Sequence, residues 1–318
     1  MKRWDFVISK VFGTIDAVLM VILITFWGSS FVVVKLVLGE GLSPIAIATF
    51  RFILAGGLFT LAIGFTRKLN PRYDLLVKPH DLPAILFLAL SGVTLFFTVQ
   101  YTGIQLAGAS IAAILVCLLA PLLITSFSAL MFKESLTLRQ LLGIAVAAFG
   151  TTIVVAATAT FQGTQFFHGT MILLATPVLW AAYTLVGRKI LDRYEPLLVV
   201  AYVNALGGLM LIPFSLGENS FHQIVTLSSH EWLGIIYLAV ACSFVGYYIW
   251  FYVLKRVGAI ASSFLFAEPL VTAVFAAIFV DEKLSTLTII GGLLIFAGVY
   301  LVTSRGSHLH HRKTQQSF

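Results

Sequence analysis

The sequence predicts an all-α membrane protein, with ten transmembrane helices arranged as two inverted five-helix repeats. Three observations predict it. Of the 318 residues, 59% are apolar and 10% are charged, where a soluble domain carries about 25% charge. The basic residues fall in the links between apolar runs, on one side of the implied membrane. Landmarks of the first half return in the second half at one common offset.

The apolar share excludes a water-soluble domain, a disordered chain and a nucleic-acid-binding module. A net charge of +7 alone would suit nucleic acid, but these charges are spread through separate links rather than gathered in one patch. A helical crossing takes ~20 apolar residues. In the first half such runs cover Ala17–Leu38, Pro44–Phe65, Pro83–Gly103, Ala109–Phe132 and Leu141–Ala159. In the second they cover Gly169–Gly187, Pro196–Leu216, Leu233–Leu254, Ala259–Val280 and Thr286–Ser304. Each backbone N–H and C=O in lipid must be satisfied within its own segment, so the runs are read as helices. The alternating stretches of about 10 residues that mark a β-barrel are absent from the sequence. Lys2 and Arg3 precede an apolar stretch as in a secretory leader, but Lys10 and Asp16 interrupt it, and the first clean run is read as a span.

The organisation that follows is a tail over 1–16, a first repeat over 17–160, a second over 168–304 and a basic tail over 305–318. With the N-terminus cytoplasmic, the 20 Lys and Arg all fall on the inner side except Lys35 and Arg51, inside spans, and Lys283, in an outer loop. Cytoplasmic loops collect Lys and Arg. The expectation is a multi-pass plasma-membrane protein with both termini cytoplasmic.

Pro121, Glu134, Gly143 and Gly150 recur as Pro269, Glu282, Gly291 and Gly298. Trp27 and Lys35 answer Trp180 and Arg188, Gly56-Gly57 answers Gly207-Gly208, and Gly108 answers Gly258 with a small shift. Five spans per half is odd, so the second copy enters the membrane from the opposite side. Inverted repeats recur in secondary transporters, where two copies of opposite hand exchange conformations. Glycines spaced seven apart (Gly57 and Gly64, Gly143 and Gly150, Gly291 and Gly298) are read as faces where helices pack closely. Links of about five residues between spans three and four, and about four between eight and nine, predict antiparallel neighbours.

The same landmarks, taken with their neighbours, resemble the EamA family of the drug/metabolite transporter superfamily. The matching pieces are Trp27-Gly28-Ser29-Ser30 with Lys35, Arg51-Phe52, Pro121-Leu122 leading to Lys133-Glu134-Ser135-Leu136, Glu268-Pro269-Leu270, and Asp281-Glu282-Lys283-Leu284. The resemblance spans about residues 17–304. It implies ten helices in two inverted repeats around a central cavity, and transport of small metabolites, often export of amino acids. Relatives in the superfamily carry nucleotide sugars, triose phosphates or drugs.

Three charges lie inside the spans: Lys35, Arg51 and Glu268. A charge at mid-bilayer costs ~2.5–3.5 kcal/mol and usually faces the bundle interior. Glu268 sits ~13 Å into span nine at 1.5 Å per residue and is followed by Pro269. It reads as a proton carrier or cation ligand, or as a structural ion-pair or hydrogen-bonding acid. Arg51, ~10 Å deep, could hold a substrate carboxylate with its planar fork, pair with Glu268, or snorkel outward. Lys35 is near a span end, where its stem can snorkel. Trp27, Phe31 and Lys35 share one helical face, as do Trp180, Thr184 and Arg188. With Phe97, Gln100, Tyr101, Tyr247, Tyr248, Trp250, Phe251 and Tyr252 they could line an apolar pocket with polar tips, or serve as interfacial belts and fillers. The substrate-binding candidates are therefore Trp27, Lys35, Arg51, Gln100, Tyr101, Trp180, Tyr247, Trp250 and Glu268, with Glu268 also the proton-coupling candidate.

Asn204 reads as helix–helix glue or a binding group. Glu134 and Glu282 read as structural caps, or partners of Lys133 and Lys283. His308, His310 and His311 read as a solvated tail rather than a metal site. Cys117 and Cys242, both inside apolar runs, read as small apolar fillers, not a disulfide or a metal pair.

An intramembrane enzyme would need buried acid pairs or a buried histidine. All seven histidines, namely His80, His168, His222, His230, His308, His310 and His311, lie outside the spans. No zinc-protease or phosphate-loop motif is present. The expectation is no enzyme, no cofactor, no metal and no nucleic-acid partner. It is a secondary transporter for a small-molecule substrate in a lipid bilayer, most readily an amino-acid or metabolite exporter working by alternating access. A sugar, phosphate or drug transporter, or a channel or scaffold, is the alternative, and a homodimer stays open.

Overall fold

The computed structural model describes residues 13–131, 138–161, 163–217, 220–223 and 227–303. The basic tails, Lys133, Glu134 and the terminal histidines lie outside them. The fold is helical throughout: α1 Thr14–Gly39, α2 Pro44–Leu69, α3 Pro79–Ala107, α4 Ala109–Met131, α5 Leu138–Phe161, α6 Thr164–Leu191, α7 Pro196–Gly217, α8 Ser229–Val257, α9 Glu268–Phe279 and α10 Thr286–Thr303. Among the described residues, eight helices, α1 to α8, are long and apolar enough to cross a membrane; α9 and α10 are shorter apolar helices.

Local chemistry sets the ends. Ser43 caps α2 by accepting from the Ala46 N–H at 3.1 Å, with Pro44 in the first turn. Ser228 and Glu231 form a reciprocal capping box at the start of α8. Gly108, at φ 90°, alone separates α3 from α4. A side chain there would be strained in the left-handed region, so the turn is tighter than the five-residue link expected. The start of α4 is capped from the far end of the chain. Glu282 accepts from the Ala109 N–H at 2.8 Å, the Ser110 N–H at 2.9 Å and the Ser110 hydroxyl at 2.7 Å.

Four spans are not the uninterrupted α-helices that the hydropathy suggested, and one of them, α6, breaks at Leu174. A π-helical stretch, Leu90–Thr94, interrupts α3, and another, Leu238–Val245, interrupts α8. A 3₁₀ segment, Gly258–Ala267, follows α8 directly and runs into α9 at Glu268. Such breaks re-aim side chains and are tolerated at membrane depth where they are buried in protein or line a cavity.

The most extensive helix contacts are α5 with α10 and α2 with α7. On the first pair a Cβ at Gly150 would stand 2.7 Å from the Gly291 carbonyl oxygen, and one at Gly291 would stand 2.8 Å from that of Gly150. Gly298 faces the Gly143 carbonyl just as closely. Gly57 and Gly64 differ from the packing role expected of them: nothing lies within 4 Å of the Cβ position at either.

Apolar side chains such as Leu61, Phe149 and Ile278 are exposed on the outside, as lipid requires. At one end of the bundle, ion pairs tie helix termini together. Arg256 of α8 meets Asp16 of α1 at 3.1 Å. Asp81 of α3 takes Arg193 at 2.5 Å and the Tyr194 hydroxyl at 2.8 Å.

Candidate functional site

A cavity of about 50 Å³ lies in the interior, lined by side chains of α1, α2, α3, α4, α6, α8, Leu265 and α9. A water needs ~10–15 Å³ of such space, so the cavity holds a few waters as it stands. A larger occupant would have to move side chains.

One wall carries Arg51. It is 2% exposed, so it does not snorkel. Its Nε donates to Ser243 Oγ at 2.6 Å and its Nη1 donates to the Tyr101 hydroxyl. The guanidinium carbon lies 4.5 Å from the Phe97 ring centre and 5.0 Å from that of Phe52, where the ring faces attract a cation. Among the described residues no acid forms an ion pair with Arg51. The expected alternative of an Arg51–Glu268 pair is therefore not what forms, although both residues line the cavity.

The opposite character comes from Glu268, the first residue of α9 and 3% exposed. Its Oε2 accepts from the Cys117 thiol at 3.1 Å. Its Oε1 is buried with no hydrogen-bond partner among the described residues. A carboxylate at a helix start gains from the N–H groups of the first turn. Cys117 is thus more than the filler its apolar setting suggested, whereas Cys242 keeps to the protein interior and donates to the Phe26 carbonyl at 3.2 Å.

Aromatic rings supply the remaining walls. Trp27 and Trp180 meet edge to face at 5.3 Å, and Phe96 lies 5.2 Å from Trp180. The Trp27 indole donates to the Cys242 carbonyl at 2.9 Å, and the Tyr247 hydroxyl donates to the Gly92 carbonyl at 3.1 Å. Gly92 lies in the π-helical stretch of α3, and Cys242 in that of α8. The helix breaks therefore place acceptors for two cavity side chains.

Of the residues singled out from the sequence, Trp27, Arg51, Gln100, Trp180, Tyr247 and Glu268 line the cavity. Tyr101 lies behind Arg51 as its hydrogen-bond partner. Trp250 is wholly buried in a second layer, 5.7 Å from Trp27 and 5.6 Å from Trp180. Lys35 is half-buried and outside the lining; two turns of α1, ~12 Å at 1.5 Å per residue, separate it from Trp27. Asn204 is buried on α7, outside the lining, and donates to the Val200 carbonyl at 2.8 Å. Sequence reasoning missed Ser30, Phe96, Val116, Cys117 and Leu265 as lining residues. Leu265 and Cys117 each stand four positions before a proline of the repeated landmark, and that spacing is the signal that could have found them.

The sequence pattern of the EamA-like transporter family matches residues 14–156 and again residues 168–304. The chain belongs to the EamA-like transporter family. This EamA-like chain is therefore a multi-pass membrane transporter of the drug/metabolite superfamily, taking a small molecule as substrate. It is 32% identical over 285 residues to an uncharacterized transporter of Archaeoglobus fulgidus, covering 88% of this chain and 94% of that one. It is 27% identical to a probable amino-acid metabolite efflux pump of Escherichia coli, over 90% of this chain and 94% of the relative. It is 26% identical to a probable terminal-alkyne amino-acid exporter of Streptantibioticus cattleyicolor, over 90% and 92%. A crystal structure that is 20% identical superposes with a TM-score of 0.61, over 91% of this chain and 97% of the other, which shows the fold.

Proposed function

We propose that this chain exports a small amino acid or closely related metabolite across the plasma membrane by alternating access, with both termini cytoplasmic. One observation carries the reading. Among the described residues, a buried arginine without an acid partner and a buried carboxylate with an open oxygen line the same aromatic cavity. Leaving either charge uncompensated in lipid is costly. A zwitterion relieves both: its carboxylate takes the free edge of the Arg51 guanidinium, and its ammonium takes Glu268. Trp27, Phe96, Trp180 and Tyr247 enclose the carbon skeleton, and Gln100 supplies a further polar contact. After the ammonium leaves, Glu268 takes up a proton for the return step and releases it before the next substrate binds.

The names of the Escherichia coli and Streptantibioticus cattleyicolor relatives support an amino-acid cargo. The recurrence of the family pattern in each half and the Gly150–Gly291 and Gly143–Gly298 contacts support an inverted repeat. Residue pairs related by such a repeat swap partners across a two-fold axis. The distribution of Lys and Arg supports the orientation.

The test is efflux from proteoliposomes loaded with pooled amino acids, sugars, sugar phosphates and lipophilic cations, with and without a pH gradient. Saturable efflux of a few amino acids that responds to the gradient is the expected result. Efflux confined to sugars, phosphates or cations would overturn the cargo, and flux without saturation would overturn the mechanism.

A further inference from the structure

We infer that Cys117 is a placeholder for the substrate ammonium: its thiol occupies one oxygen of Glu268 in the empty cavity and is displaced when an ammonium group binds. The inference rests on the reading of Glu268 as the ammonium site.

The thiol is the sole hydrogen-bond donor to this carboxylate among the described residues. It is a weak donor. A buried carboxylate gains far more from a charged donor, and an ammonium brings three N–H groups. The Cys117–Glu268 bond is therefore strong enough to satisfy one oxygen in an empty site and weak enough to yield.

Its location suits that use. Cys117 lies on α4 and Glu268 opens α9, so the bond joins one helix from each half of the chain. Each end stands at a break. Pro121 lies within α4 and cannot donate the N–H that the Cys117 carbonyl would otherwise receive, so α4 can bend there. Glu268 marks the change from 3₁₀ to α geometry, with Pro269 next to it. On its other side α9 is held to α1 by Thr272, whose hydroxyl donates to the Gly28 carbonyl at 2.7 Å. Release of the thiol therefore removes a polar tie between α9 and α4, while the tie of α9 to α1 persists.

Two measurements on the full chain test this. The first is the infrared S–H stretch, with Cys117→Ala assigning the two thiol bands. The Cys117 band is expected to move to higher frequency in Glu268→Gln. In the unaltered protein, methylammonium should move it the same way, against potassium chloride at matched ionic strength. The Cys242 band should stay fixed. A Cys117 band that is the same in the unaltered protein and Glu268→Gln, or that methylammonium leaves in place, overturns the proposal. The second is the half-saturation concentration for a labelled amino-acid mixture in proteoliposomes. Serine is a stronger donor than a thiol, so Cys117→Ser should raise it about threefold or more, as for a competitor strengthened by under 1 kcal/mol. Cys117→Ala should lower it. A purely space-filling cysteine would give serine the unaltered value, and that result overturns the proposal. If Glu268→Gln transports amino acids normally, the zwitterion reading fails instead, and the infrared bands still decide the role of the thiol.

Discussion

Arg51 and Glu268 face one cavity and do not pair. Each is satisfied on its protein side, Arg51 by Ser243 and Tyr101, Glu268 by Cys117. In the proposed reading the charge that completes each one arrives from the cavity. Charge-assisted hydrogen bonds contribute about 1.5–3 kcal/mol each, which is about 10- to 100-fold in affinity. Arg51→Gln should therefore raise the half-saturation concentration for carboxylate-bearing substrates by at least tenfold. Arg51→Lys should recover part of the loss, since it keeps the charge and loses the fork. Initial efflux rates over a substrate series check this, and equal values for all three proteins would refute it.

The two cavity tryptophans should respond differently to the same change. The Trp27 indole N–H is bonded to the Cys242 carbonyl at 2.9 Å, whereas that of Trp180 has no partner among the described residues. Trp27→Phe breaks a buried hydrogen bond and should cost about 1 kcal/mol more than Trp180→Phe, which removes an unsatisfied donor. Thermal unfolding in detergent micelles compares them. A larger loss for Trp180→Phe would contradict the assignment.

At the α5–α10 contact a side chain has no room. Gly150→Leu would drive carbon into the Gly291 backbone, and overpacking of this kind costs about 1–3 kcal/mol or more. Gly57→Ala and Gly64→Ala, with open space around both positions, should leave the unfolding temperature unchanged or raise it slightly, since alanine is the better helix former. A fall in the two alanine variants matching that of Gly150→Leu would mean that the helix pairing is wrong.

Glu282 is the cap of a helix it does not belong to. Its carboxylate satisfies three donors at the start of α4. Glu282→Ala should cost about 1–2 kcal/mol, as for other lost caps, and Glu282→Gln about half of that, since one acceptor oxygen remains. Hydrogen exchange at Ala109 and Ser110 gives the local readout, with faster exchange in the alanine variant. Unchanged exchange at both amides would show that the cap contributes nothing.

Hydropathy made the spans legible, and the rarity of intramembrane charge made Arg51 and Glu268 legible, because lipid penalises a charge whatever surrounds it. Trp27 and Trp180 stood out because the repeat placed them at matching points. Cys117 did not, since its role is set by an acid 151 residues away and its own neighbours are apolar. Lys35 was drawn in by helical phase, which fixes the face of a helix and says nothing of depth. The π-helical stretches left no trace in hydropathy, because they change backbone hydrogen bonding without changing composition. Gly57 and Gly64 share the spacing of Gly143 and Gly150, but spacing does not say whether the facing surface is a helix or lipid.

The most direct test compares efflux of one exported amino acid with efflux of its decarboxylated amine and its deaminated acid. It is run in proteoliposomes holding the unaltered protein, Arg51→Gln or Glu268→Gln. If a zwitterion bridges the cavity, the unaltered protein moves the amino acid far faster than either analogue, and each substitution abolishes that preference. If the amine or the acid moves as fast as the amino acid, or both substitutions leave the preference intact, Arg51 and Glu268 do not form the two ends of the site.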